Sequence, residues 1–296
     1  MKARPNYKFY PSLLDAYQDY LDTTPETFFY QDSFGQWHLN YSDGEYYYSD
    51  EEVEELSKQQ LLDRINRVQV VSTAADKGTC FNEILDCIIL NKKSGRDDVF
   101  IETVKGFDIK QEEGAVDDVG TPIYYDYGFK HFDIPCIHAN MNETDFYFDV
   151  NFCKQAASHF DGSLCQVFTK APIETKYGMV ELYGYADYLR ELTVFDAKTS
   201  RQYQFGKYEK KWQKHVYPYC FVTSGQCTEI REFEYTCFKL NGGSLNQPVI
   251  SGQMFPEVYT FDYERSKEML RKICERFIEF LIENKEEITD SKIFGN

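Results

Sequence analysis

Three runs in the middle of the chain, 164–170, 178–188 and 191–199, read as successive strands joined by short turns. Turns that short make neighbours in sequence neighbours in a sheet. The spacing of apolar residues then becomes helical on either side. A capping box at Ser49 and Glu52 opens a helix carrying Val53, Leu56, Gln60 and Leu61, and 76–90 predicts a second with Phe81, Ile84, Leu85 and Ile88 inward. Alternation at 123–129 and 145–150 predicts strands, and the Gly-rich, acidic 105–120 a loop between strands. After the three strands come a helix at about 205–219 broken near Pro218, a strand at 229–239 and a turn at Asn241-Gly242-Gly243. The chain closes on an amphipathic helix with Leu270, Ile273, Cys274, Phe277 and Leu281 on one stripe, read as core or interface packing. That order predicts an α/β fold with a mixed sheet flanked by helices.

The 296 residues suffice for one large domain with a sizeable core, and 24 Tyr and 24 Phe against 2 Trp make much of that core phenyl rings. We expect one domain: an N-terminal helical and aromatic extension over 1–75, a core over 76–240 with an excursion at about 92–160, and a C-terminal strand and helix over 241–296. The net charge of -17 excludes a surface that is basic throughout, though not a local basic patch. No apolar run is long enough for a membrane helix, and the basic N-terminus lacks the apolar segment of a secretory signal. Nine scattered cysteines with no C-x-x-C fit neither a disulfide framework nor a zinc ribbon and predict reduced thiols in a cytoplasm. Neither H-E-x-x-H nor a phosphate-binding P-loop is present.

The chemistry concentrates in Gly184-Tyr-Ala-Asp187 and Val194-Phe-Asp196-Ala-Lys198-Thr199. Asp196 and Lys198 are two apart on a strand, so both side chains leave one face. Asp187, across the turn, is brought near them when the strands pair. Two carboxylates and an ammonium converging there suit a hard cation such as Mg²⁺. An acid two before a lysine means nothing alone: Asp108/Lys110, Glu174/Lys176 and Asp290/Lys292 repeat it, and an ion pair on a strand is the ordinary explanation. Context separates Asp196/Lys198. From Lys198 to Lys214 there are six basic residues against one acidic, a local excess suited to a phosphate backbone. Within it Gln213 and Tyr217 are spaced to share a helical face.

G-x-x-D, an apolar strand ending D-x-K-T and then Q-x-x-x-Y together resemble the RecB-type exonuclease branch of the PD-(D/E)XK nuclease superfamily, to which phage recombination exonucleases are related. The resemblance covers 178–219 and extends to Gly78-Thr-Cys-Phe-Asn82-Glu83-Ile-Leu85-Asp86, similar to the family's G-T-x-x-H-x-x-L-E. Asn82 stands where some relatives carry a metal-binding His, and Asp86 stands for the Glu. Ser12, Leu14 and Tyr17 match an S-x-L-x-x-Y opening, with core packing the plainer explanation of Tyr17. The cysteine cluster of iron–sulfur relatives is missing, so no such cluster is expected.

The resemblance implies a restriction-endonuclease-like core and a Mg²⁺- or Mn²⁺-dependent DNA exonuclease of phage or bacterial recombination and repair. Asp187, Asp196, the carbonyl of Ala197 and an upstream acid, Glu83 ahead of Asp86, would hold the metal. Lys198 would orient or deprotonate the attacking water, or balance charge. Gln213 and Tyr217 would position the substrate strand or steady Lys198, and Lys207, Lys210, Lys211 and Lys214 would meet DNA phosphates. A separate helicase or recombination protein is the expected partner. An endonuclease, or a non-catalytic nucleic-acid- or protein-binding module keeping the fold, are the alternatives.

Overall fold

A computed structural model describes residues 5–23, 29–31, 37–39, 50–69, 72–108, 129–244 and 247–295. In chain order the strands are β1 (Tyr7–Phe9), β2 (Phe29–Gln31), β3 (Trp37–Leu39), β4 (Phe100–Asp108), β5 (Phe129–Met141), β6 (Thr144–Asp149), β7 (Leu164–Thr175), β8 (Gly178–Arg190), β9 (Thr193–Ser200), β10 (Glu232–Asn241) and β11 (Val249–Thr260). The helices are α1 (Pro11–Leu21), α2 (Asp50–Ile65), α3 (Thr73–Ile89), α4 (Val150–Ser158), α5 (Gln213–Ser224) and α6 (Tyr263–Glu283).

The three central runs form an antiparallel meander, as their short turns require. β7 pairs with β8 from Thr175↔Gly178 to Leu164↔Leu189, and β8 pairs with β9 at Tyr188↔Phe195, Leu189↔Val194 and Arg190↔Thr193. β10 then lies parallel to β9, with α5 as the crossover that a parallel pair needs. The main sheet runs β1-β8-β9-β10-β11-β6-β5-β4, with β7 also on β8; β2 and β3 make a separate hairpin. The fold is thus α/β with a large mixed sheet flanked by helices. The described parts of the segment expected as an excursion at 92–160 add β4, β5 and β6 to the sheet, β6 running parallel to β11.

Side chains from opposite faces fill separate cores. On one face α1, α2, α5 and α6 cover β7 and β8, with Leu270, Ile273, Cys274, Phe277 and Leu281 of α6 all buried. Tyr17 belongs to this core and its hydroxyl donates to the Arg276 carbonyl at 3.0 Å. On the other, α3 and α4 bury Phe81, Phe152, Phe160, Tyr188 and Phe238, the Phe160 and Tyr188 rings stacking 4.0 Å apart. α3 settles close on β9 because Gly78 has no side chain: a Cβ there would lie 2.7 Å from Thr199 Oγ1. No helix among the described residues is long and apolar enough to cross a membrane.

The larger differences from the sequence reading have local causes. The segment 105–108 is strand, since Gly106 marks a register shift in the β4–β5 ladder and not a turn; the rest of that expected loop and the strand at 123–128 lie outside the described residues, as does Ser49. The helix expected from 205 begins only at Gln213. Gly206 is left-handed (φ 78°) and donates its N–H to Glu257, while the Trp212 N–H donates to Asp15 Oδ1 at 2.6 Å. Those side chains satisfy backbone groups that a longer helix would have used. Pro218 does not break α5: it comes early in the helix, so only the Lys214 carbonyl loses its partner.

Candidate functional site

The site lies where β8 and β9 part. Their ladder ends at Tyr188↔Phe195, one residue short of Asp187 and Asp196. There a side chain takes over from the backbone: the Ala197 N–H donates to Asp187 Oδ2 at 2.8 Å. In an extended strand a residue's N–H and C=O point to the same side, so the Ala197 carbonyl also faces the β8 side.

Asp196 is 2% exposed and held at both oxygens. Gln213 Nε2 donates to Oδ1 at 2.7 Å, and the Lys198 ammonium lies 2.5 Å from Oδ2. The shared strand face of Asp196 and Lys198 is therefore realised, and α5 delivers Gln213 to it from its first turn. Four residues on, Tyr217 packs where Gly184 leaves room: a Cβ at 184 would stand 2.9 Å from Tyr217 Cε1. Two sequence motifs thus meet physically, the Gly of one making space for the Tyr of the other.

Burial raises the Asp187 carboxyl's pKa, and the neighbouring Asp196 charge raises it further. Burial works against the charge on Lys198, but Asp196, Asp187 and Asp15 outweigh it and hold the amine as an ammonium. Asp86, on α3, faces this group and contributes to the shift at Asp187. Its own carboxyl is pushed up to about 6, chiefly by burial. Gln166 Nε2 donates to Asp86 Oδ2 at 3.1 Å, and the buried Tyr188 hydroxyl beside the carboxyl offsets part of that rise. Ionising Asp86 in place therefore costs about 3 kcal/mol.

Glu83 is not brought into this group. Its Oε1 accepts from Ser94 Oγ at 2.6 Å, tying α3 to the loop after it. Of the two upstream acids, Asp86 is the one that is buried and that raises the Asp187 pKa. Among the described residues there is no ready-made group of three His, Cys, Asp or Glu that could hold a metal ion.

The lysines after β9 do not line one helical face. Lys207, Lys210 and Lys211 precede α5, and Lys210 and Lys211 pair with Asp22 at 2.9 Å and Asp19 at 2.8 Å. Lys207 Nζ is 3.4 Å from Ser200 Oγ. Lys214 donates to the Glu209 carbonyl and lies over the Tyr259 ring. Two participants escaped the sequence reading. Asp15, buried on α1, caps the turn that leads into α5; an acid inside the apolar stretch Leu13-Leu14-Asp15-Ala16-Tyr17 was its signal. Gln166 sits at a left-handed kink of β7 (φ 50°), which nothing in its neighbours announces.

No protein-family model matches the chain, and no curated protein matches it. Among solved structures there is a likeness to one titled "Crystal structure of SSO0001", at 15% identity and a TM-score of 0.29, covering 40% of this chain and 50% of that one.

Proposed function

We propose that the protein is a divalent-metal-dependent phosphodiesterase, a DNA exonuclease, built on a restriction-endonuclease-like core. One observation carries the reading: Asp187 and Asp196 come together where β8 and β9 part, with Lys198 on Asp196. The residues present fit a hard cation. They are oxygen donors, and the Ala197 carbonyl faces the same gap. Asp187, Asp196, Asp86 and Ala197 would hold Mg²⁺ or Mn²⁺, which supplies Lewis acidity toward the scissile phosphate.

The chain's own groups then divide the remaining work. Lys198, held as an ammonium by Asp196 and Asp187, balances charge on the phosphate, and a cation on those carboxylates would lower its pKa and let it take a proton from water. Gln213 fixes the Asp196 carboxylate through Oδ1 and leaves Oδ2 toward Lys198. Tyr217 packs on Gly184 and holds α5 against β8. Glu83 steadies the end of α3 through Ser94 and takes no part in the site. Lys207, Lys210, Lys211 and Lys214 approach the DNA backbone, Lys210 and Lys211 exchanging their aspartates for phosphates. Recombination or repair is the setting, with any unwinding motor on a separate chain.

A panel of end-labelled linear duplex, single strand and covalently closed circle, each with Mg²⁺, Mn²⁺ or EDTA, tests this. Metal-dependent loss of the linear substrates with the circle intact is expected. Rapid cutting of the circle moves the assignment to an endonuclease. Binding without cleavage in any metal moves it to a non-catalytic module.

A further inference from the structure

β8 has two unlike edges. β7 follows one of them along nearly its whole length. The other is taken by β1 at Val180 to Leu182 and by β9 at Tyr188 to Arg190, so that among the described residues no strand pairs with 183–187 on that side. A cleft of about 290 Å³ opens there, lined by Tyr10, Arg67, Tyr183 and Tyr185 together with the site residues Gln213 and Tyr217. Gln213 both lines the cleft and holds Asp196, so one side chain lies between the cleft and that carboxylate.

Its rim is aromatic and cationic. The Tyr10 and Tyr183 rings lie 6.0 Å apart, and Tyr185 packs 5.0 Å from Phe168 on the neighbouring strand. Tyr185 is 59% exposed and Phe168 41%, on the sheet face that α5 and α6 leave open. Arg67 lies over the Tyr10 ring and pairs with Asp290, and the exposed Arg64 donates to Ser12 Oγ at 3.1 Å. A guanidinium has five N–H donors, so both retain donors for a further anion. An exposed ring offers its face to an unpaired base, whereas a paired base has both faces covered by its neighbours. Rings beside cations are the means by which proteins hold single strands without regard to sequence.

We propose that this cleft and the aromatic row beside it seat single-stranded nucleic acid, with bases on Tyr185 and Phe168 and phosphates at Arg64 and Arg67. The proposal rests on the phosphodiesterase reading for the fate of the strand. It makes a single strand, or the single-stranded end of a duplex, the substrate class of that site.

Fluorescence anisotropy of the full chain in EDTA, with labelled oligo-dT and a blunt duplex of equal length, tests binding apart from cleavage. Wild type should prefer oligo-dT. Tyr185→Ala/Phe168→Ala should weaken oligo-dT binding roughly tenfold or more, the loss of at least one stacked base, and leave the duplex unchanged. Tyr185→Phe/Phe168→Tyr, which keeps both rings, should bind as wild type does. Equal oligo-dT affinity in a folded double-Ala variant, the result expected of a surface built for a protein partner, overturns the proposal. So does a wild type that prefers the blunt duplex. Photocrosslinks from 5-iodouracil in the oligonucleotide should fall on peptides carrying Tyr185 or Phe168, and crosslinks confined to other surfaces count against it. Cleavage is scored separately with Mg²⁺. Ring-independent binding by a cleaving enzyme removes this proposal alone, and ring-dependent binding with no cleavage removes the nuclease reading alone.

Discussion

Single residues set this site by what they lack or must tolerate. Gly184 lacks a Cβ, and the buried Tyr217 ring fills the space. Gly184→Ala should therefore lower stability by about 1–3 kcal/mol through overpacking, read from urea melts; an unchanged midpoint contradicts the packing described. Asp15 must tolerate burial, which pushes its carboxyl up to about 6 from an ordinary 3.8. The folded protein thus binds this proton more tightly than the unfolded chain. Its contribution to stability is full below about pH 4, is lost as pH rises through about 6, and stays lost above that. Asp15→Asn keeps an acceptor for the Trp212 N–H without the charge. It should gain up to about 3 kcal/mol over wild type at pH 8, the gain fading toward pH 4. A difference that grows on acidification would refute the assignment.

Among elements, α1 and the turn before α5 act as a unit, because Asp15, Asp19 and Asp22 face Trp212, Lys211 and Lys210. The two outer ion pairs are exposed enough to contribute less than about 1 kcal/mol each to folding. They do occupy the lysines proposed to meet DNA. Asp19→Asn/Asp22→Asn should accordingly tighten DNA binding and steepen its salt dependence by up to about two units of slope, with little change in melting. A shallower slope, or none of these changes, places the DNA path elsewhere. The three strands expected at 164–170, 178–188 and 191–199 and the stripe of α6 were legible in the sequence, since period and turn length are local properties, although β7 runs on to Thr175. The start of α5 was not. It depends on Glu257 and Asp15, which are remote in sequence and supply the acceptors that end the turn. For the same reason the choice between Glu83 and Asp86 was not legible: helical spacing gives both a plausible face, and the distant partners Ser94 and Gln166 separate their surroundings.

Across the whole molecule, the sheet brings three stretches of sequence to one gap: 78–86 on α3, 184–198 on β8 and β9, and 213–217 on α5. Their types and spacings were visible in the chain. That they meet depends on β8 leaving β9 after a three-residue ladder, which no local pattern encodes. A chain of net charge -17 repels nucleic acid, so binding has to come from local cations and rings, and it should weaken sharply with salt. The Asp187/Asp196 gap is proposed to hydrolyse phosphodiesters with a divalent cation. The most direct test is the release of labelled nucleotide from single-stranded and linear duplex DNA by wild type and by Asp196→Asn, in Mn²⁺ and in EDTA, with melting curves run alongside. Release by wild type in Mn²⁺ only is expected, with background release by a folded Asp196→Asn protein. Undiminished release by that variant, or by wild type in EDTA, would contradict it.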